Sequence, residues 1–280
     1  MSDVSNSSGL LQSGGPAAPW RHAPALFVSH GSPMVALDAD AYPRALHDFG
    51  ASASQARALV VVSAHWETEG EVAVTSSEAP PLIYDFYGFP APLYQLRYPA
   101  RGAPGLAVDI VALLREAGIP ARAEPTRGLD HGVWVPLRHA FPDARVPVIQ
   151  VSLPADAEPA EVARLGEALR PLRSEGVVLV GSGGLVHNLR RVNFRSKEAP
   201  VEPWAAEFDG WVASRLASRD FAGLQAWRGA PNAALAHPSA DHFLPLFFAL
   251  GAALPEDGIT SVFEGFHHAT LSMRSFALRA

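Results

Sequence analysis

Apolar residues in this chain gather in short, valine-rich runs, with Ala25–Val28, Ala58–Val62, Val146–Val151 and Val177–Val180 the clearest. Runs of this length without polar alternation predict strands covered on both faces. Between them the apolar spacing becomes helical: Val162, Leu165, Leu169 and Leu172 fall on one side of a helix expected over Asp156–Arg173. Helices are also expected over Ala41–Phe49, Gly105–Ala117, Trp204–Leu216 and Asp241–Leu250, and strands at Val72–Thr75, Ala121–Glu124, Ser261–Phe266 and Leu271–Phe276. Strands alternating with helices predict the α/β class: a single domain with a central, mostly buried, mixed β-sheet flanked by helices. The domain is expected to occupy residues 25–280, behind a flexible tail at 1–24.

The residues that end these runs are distinctive. Ala25–Val28 leads into Ser29-His30-Gly31-Ser32-Pro33, Ala58–Val62 into Ser63-Ala64-His65-Trp66, and Val177–Val180 into Gly181-Ser182-Gly183-Gly184 with His187 beyond. His131 follows Asp130 in a predicted loop, and His242 sits near the start of the helix expected from Asp241. In open α/β sheets ligands collect past the carboxyl ends of the strands. Imidazole is both a common metal ligand and a proton carrier near neutral pH. One histidine beside an apolar strand is usually a hydrogen-bonded structural residue; several at matching edges point to a shared site.

Other chemistries lose ground by what is missing. His65-Trp66-Glu67-Thr68-Glu69 lacks the second, helix-spaced histidine of a zinc peptidase. Gly181–Gly184 is neither a nucleophile elbow nor a phosphate loop, and Ser182 has no base at local spacing. The chain has no cysteine, which excludes disulfides, iron–sulfur ligation and a thiolate nucleophile. Net charge is −6, with no basic run to suggest nucleic acid. The first twenty residues lack the basic start and apolar core of a signal peptide, and no apolar stretch is long enough to span a membrane, so a cytoplasmic location is the default expectation.

Seven segments together resemble the class III extradiol ring-cleaving dioxygenases, in the branch of the 4,5-DOPA dioxygenases. They are Phe27–Pro33, Val62–Trp66, Tyr87–Pro90, Leu129–Gly132, Gly181–Asn188, His237-Pro238 with Asp241–Phe243, and Leu271–Arg274, in order over the chain after the tail. The resemblance implies a mononuclear non-haem Fe(II) held by His30, His65 and His242, where the wider superfamily supplies a carboxylate as third ligand. Three neutral imidazoles also suit Zn(II). It further implies His187 as general base and His131 as a partner of the substrate hydroxyl or of bound oxygen, in a reaction that inserts both atoms of O2 into a catechol such as DOPA. A monomer or small homo-oligomer is the expected assembly.

His237 and His242 are five residues apart and would not share a helix face. His242, expected within the first turns of a helix begun after Pro238, is assigned to the metal and His237 to the pocket wall. Tyr84, Tyr87 and Phe89, from the aromatic stretch Pro80–Pro99, are candidates to line an aromatic pocket, and Arg274 to meet a substrate carboxylate or form an ion pair. The adjacent pair His267-His268 is unexpected at its position in this branch. Two other functions share the same histidines: a zinc-dependent hydrolase or amidase, and a metal-binding relative without catalysis.

Overall fold

The computed structural model describes residues 20–280, so most of the tail expected at 1–24 lies outside the described residues. Within its last part, Ala23 is already fully buried and exchanges hydrogen bonds with Arg173, its amide donating to the Arg173 carbonyl at 2.8 Å and its own carbonyl accepting from Arg173 Nε at 2.6 Å.

Among the described residues ten strands form: β1 (Ala25–Ser29), β2 (Ala58–Thr68), β3 (Val72–Thr75), β4 (Ala121–Glu124), β5 (Val148–Pro154), β6 (Val177–Gly183), β7 (Gly258–Phe263), β8 (Phe266–His267), β9 (Leu271–Ser272) and β10 (Ser275–Arg279). Eight of them make one sheet in the order β4-β3-β5-β2-β6-β1-β10-β7, and β8 and β9 form a separate small ribbon. The central strands β5, β2, β6 and β1 run parallel, while β10 and β7 close one side antiparallel. The sheet is therefore mixed.

Both faces are covered, as continuous apolar strands require. Phe27, Val60, Val62, Val177 and Leu179 pack on one face with helices Pro104–Glu116, Pro159–Leu169, Pro203–Ala217 and Pro245–Gly251. Their neighbours Leu26, Val28, Leu59, Val61, Val178 and Val180 pack on the other, with helices Ala41–Ser52 and His131–Ala140 and the aromatic loop around Phe86. Successive side chains thus alternate between two cores, the period-2 geometry of a strand.

Three expectations are corrected. His65 lies inside β2 and not after it: the strand runs on to Thr68, and its register with β5 shifts between Val62 and Glu67, an irregularity that frees the intervening residues from regular pairing with β5. Leu129–Gly132 is not all loop, because Asp130 stands at the N-cap of helix His131–Ala140 and puts His131 at its first position; Pro136 inside that helix obscured it in the sequence. The helix expected from Asp241 begins only at Pro245, so His242 sits in the preceding turn. Proline lacks an amide hydrogen and is favoured in the first turn of a helix, which fits that later start.

Candidate metal centre

Because β1, β2 and β6 are neighbouring parallel strands, their carboxyl ends meet at one edge of the sheet. His30 follows β1, His65 lies toward the end of β2, and Ser182 lies near the end of β6. Ser182 is fully buried and its hydroxyl donates to the Gly132 carbonyl. It therefore accepts from His30, whose Nδ1 is 3.0 Å away, and this places the His30 proton on Nδ1 and leaves Nε2 with a lone pair. That Nε2 lies 3.0 Å from His65 Nε2. Close approach of the His131 helix depends on Gly132, where a Cβ would fall 2.5 Å from Ser63 Oγ and 3.0 Å from His65 Cδ2.

His242 arrives from the far end of the chain. Gly184 donates its amide to the His242 carbonyl at 2.8 Å, and a Cβ on Gly183 would lie 2.2 Å from that same oxygen, so the glycine that ends β6 permits the contact. Further bonds join the two segments: His187 N to Ala236 O at 3.0 Å, Asn188 Nδ2 to Leu235 O at 2.7 Å, and His237 Nε2 to Leu185 O at 2.9 Å. The result is a parallel stack of His187 on His242, with ring centroids 3.4 Å apart and planes 4° from parallel. The His242 ring stands 4.8 Å from that of His65 and 5.2 Å from that of His30. Asp241 accepts from His242 Nδ1, and His242 Nε2 is buried with no hydrogen-bond partner. A buried, unpartnered lone pair costs free energy unless something occupies it.

His131 closes the group. Its ring is 4.0 Å from His65 and 5.4 Å from His30, and one ligating nitrogen from each of His30, His65 and His131 falls within 4.8 Å of the others. Asp85 holds it in place: the backbone amide of His131 donates to Asp85 Oδ1 at 3.0 Å, and Nδ1 lies 3.0 Å from the same oxygen without hydrogen-bond alignment. Asp85 Oδ2 is also 3.7 Å from His65 Nδ1.

Electrostatics keep His30, His65 and His187 neutral. Burial, then the neighbouring histidines, push His30 and His65 far below the ordinary imidazole range, and burial with the adjacent His242 lowers His187 to about 2. Burial alone would raise Asp241 and Asp85, but the bond to His242 in one case and contact with His131 in the other hold both carboxyls below their usual range. Asp130 behaves differently. It is fully buried, faces Ser63 and Gln150, and burial pushes it upward.

The remaining sequence candidates are dispersed. His237 is enclosed by Phe208, Trp227 and Phe243, with ring centroids at 5.5, 5.6 and 4.9 Å. Arg274 gives its guanidinium to Asp209, at 2.8 Å from Nη2, and to Glu264, at 3.1 Å from Nη1. Tyr84 donates its hydroxyl to the Leu96 carbonyl at 2.7 Å and packs near Trp134. Tyr87 and Phe89 line a cavity of about 530 Å³ that Ser32, two residues after His30, also lines, with Tyr87 at its exposed rim. Asp85, Asp241 and Ser182 were not assigned roles from sequence. The adjacency of Asp241 to His242 was the available signal for one of them, but Asp85 and Ser182 reach their histidines only through the fold.

Comparison with known proteins identifies the family. Residues 22–277 match the family described as the catalytic LigB subunit of aromatic ring-opening dioxygenase. The chain is 40% identical over 265 residues to a 4,5-DOPA dioxygenase extradiol of Escherichia coli K12, covering 90% of this chain and 93% of that one. It is 41% identical over 233 residues to the 4,5-DOPA dioxygenase extradiol of Beta vulgaris, covering 81% and 85%. The crystal structure of an uncharacterised E. coli K12 protein superposes with a TM-score of 0.78 at 35% identity, covering 91% of this chain and 99% of that one. The chain belongs to the LigB family of class III extradiol ring-opening dioxygenases, and within it is similar to the 4,5-DOPA dioxygenases.

Proposed function

We propose that this protein is an Fe(II)-dependent extradiol dioxygenase of catechols, with His30, His65 and His242 holding the metal. The observation that carries the reading is the unpartnered, buried Nε2 of His242 beside the convergent Nε2 atoms of His30 and His65. Ser182 engages Nδ1 of His30 and Asp241 engages Nδ1 of His242, which leaves the Nε2 lone pair of each for a metal. Bound there, Fe(II) would supply a centre through which a chelated catecholate and O2 exchange electrons. Two carboxylates, Asp241 and Asp85, stand one contact behind the imidazoles and return negative charge to a site that has no carboxylate among these three ligands.

His131 and His187 do the proton work on either side. His187, stacked on His242 at 3.4 Å, stands beside the ligand set as an imidazole outside it, in reach of a bound catechol hydroxyl as its proton acceptor. His131, fixed by Asp85 at a helix start, faces His30 and His65 and is placed to hydrogen-bond the second oxygen. Phe86 closes over His131 at 5.7 Å and limits water.

Protein loaded with Fe(II) without oxygen, mixed with L-DOPA or 4-methylcatechol and then given O2, is expected to form a yellow ring-opened product, while the Zn(II)-loaded form does not. Absence of O2 uptake across a panel of catechols with iron bound contradicts the proposal. Oxygen-independent turnover of an ester or amide by the Zn(II) form would support a hydrolase instead.

A further inference from the structure

The cavity lined by Ser32, Phe89 and Lys197 carries charge that the metal chemistry does not use. Its apolar walls are Met34, Phe89 and Phe194, and its polar wall is Asp38, Lys197 and His267. Lys197 Nζ bonds both Asp38 and Asp40, so three ionised groups sum to one net negative charge. Although burial opposes it, the bonds to these carboxylates raise Lys197 above its ordinary value, and Asp40 is lowered by the same partner against its own burial. His267 is lowered to about 4, first by burial and then by Lys197, so it adds no positive charge at neutral pH.

Three of these walls are anchored to the residues that carry the metal centre. Ser32 on the cavity edge follows His30 by two positions. Phe89 packs on Phe86 at 5.5 Å, and Phe86 meets the His131 ring at 5.7 Å. His267 packs edge-on against Tyr42 at 5.9 Å, and the Tyr42 hydroxyl donates to the carbonyl of Ser29, next to His30. The charged wall is also built at a conformational cost. His268 and Ala269 both adopt left-handed backbone, with φ of 57° and 69°, and hydrogen bonds from His268 N to Lys197 O at 2.8 Å and from Asn193 N to His268 O at 3.0 Å lock that turn to the segment bearing Lys197. Non-glycine residues held this way concentrate at ligand sites.

Resting on the catechol reading above, we infer that this cavity is the subsite for the substrate's side chain, and that Asp38, in its triad with Lys197 and Asp40, selects catechols whose side chain ends in an ammonium group. The ring lies toward the histidines, the side chain runs along Phe89 and Met34, and the ammonium meets Asp38. The residual negative charge orders the side chains: an amine is preferred to a zwitterionic amino acid, and both to a free carboxylate.

The test compares kcat/KM for dopamine and for 3,4-dihydroxyphenylpropionate with Fe(II)-loaded protein, each normalised to 4-methylcatechol on the same preparation, at about pH 8 where histidines are neutral. The amine is expected to be favoured by about tenfold or more, and D38N is expected to erase most of that ratio, as loss of a charge-assisted hydrogen bond would. An unbiased wild-type ratio, or a ratio unchanged in D38N, overturns the inference. Binding of phenethylamine against phenylpropionate, followed by calorimetry, reads the same selectivity without turnover. If no catechol is consumed, the function proposed above fails, and this second measurement still decides the subsite: wild-type preference for the amine, lost in D38N, supports it, and its absence overturns it.

Discussion

At the scale of single residues, the ring-nitrogen distances and the hydrogen bonds favour different third ligands. Distances alone group His131 with His30 and His65, whereas the unpartnered Nε2 selects His242. His242 weighs more, because the aligned hydrogen bond from its Nδ1 to Asp241 fixes the tautomer that leaves a lone pair on Nε2, whereas His131 Nδ1 lies against Asp85 without alignment and its tautomer is not fixed in this way. His242→Ala is therefore expected to abolish stoichiometric Fe(II) or Co(II) binding in calorimetry, while His131→Ala keeps affinity within about tenfold and loses turnover, the pattern of a group outside the ligand set. The reverse pattern would make His131 the ligand. Asp241 orients His242 through Nδ1, and Asp241→Asn is expected to weaken metal binding by about tenfold or more with the fold intact by circular dichroism.

At the scale of elements, the site depends on two segments far apart in sequence lying against each other after β6. At Gly183 the His242 carbonyl lies where a Cβ would go. Gly183→Ala is expected to cost about 1–3 kcal/mol in urea unfolding and to lower metal affinity as well, because the backbone that must move carries His242. A stability loss with metal affinity unchanged would separate the two. The strands were legible in the sequence because valine runs such as Val60–Val62 and Val177–Val180 have one physical meaning, burial on both faces. The helix from His131 was not, since Pro136 interrupts its pattern, nor was the delayed start at Pro245. The histidines of the site were visible as residues at the ends of apolar runs. What aims them was not: Ser182 meets His30 across 152 positions, a contact that exists only once β6 lies beside β1.

At the scale of the whole molecule, buried neutral histidines link stability to pH. His237, lowered to about 4 first by burial, binds its proton more weakly in the folded chain than in the unfolded one. Between about pH 4 and 6.5 the unfolded state therefore holds more protons, and stability falls as pH drops through that window, by up to about 3 kcal/mol from this residue. His237→Gln, which keeps a donor for the Leu185 carbonyl, is expected to flatten the dependence of the unfolding midpoint on pH in metal-free protein. An unchanged slope would assign the linkage to the other histidines. The molecule as a whole presents a dioxygenase family fold with three imidazoles at the meeting point of β1, β2 and the turn before Pro245. The most direct measurement on that centre is mass spectrometry of the product formed by Fe(II)-loaded protein from a catechol under ¹⁸O2. With 4-methylcatechol and immediate borohydride trapping of the aldehyde, both labelled atoms are expected in one ring-opened product; an unlabelled product, or one formed without oxygen, would contradict extradiol cleavage at this site.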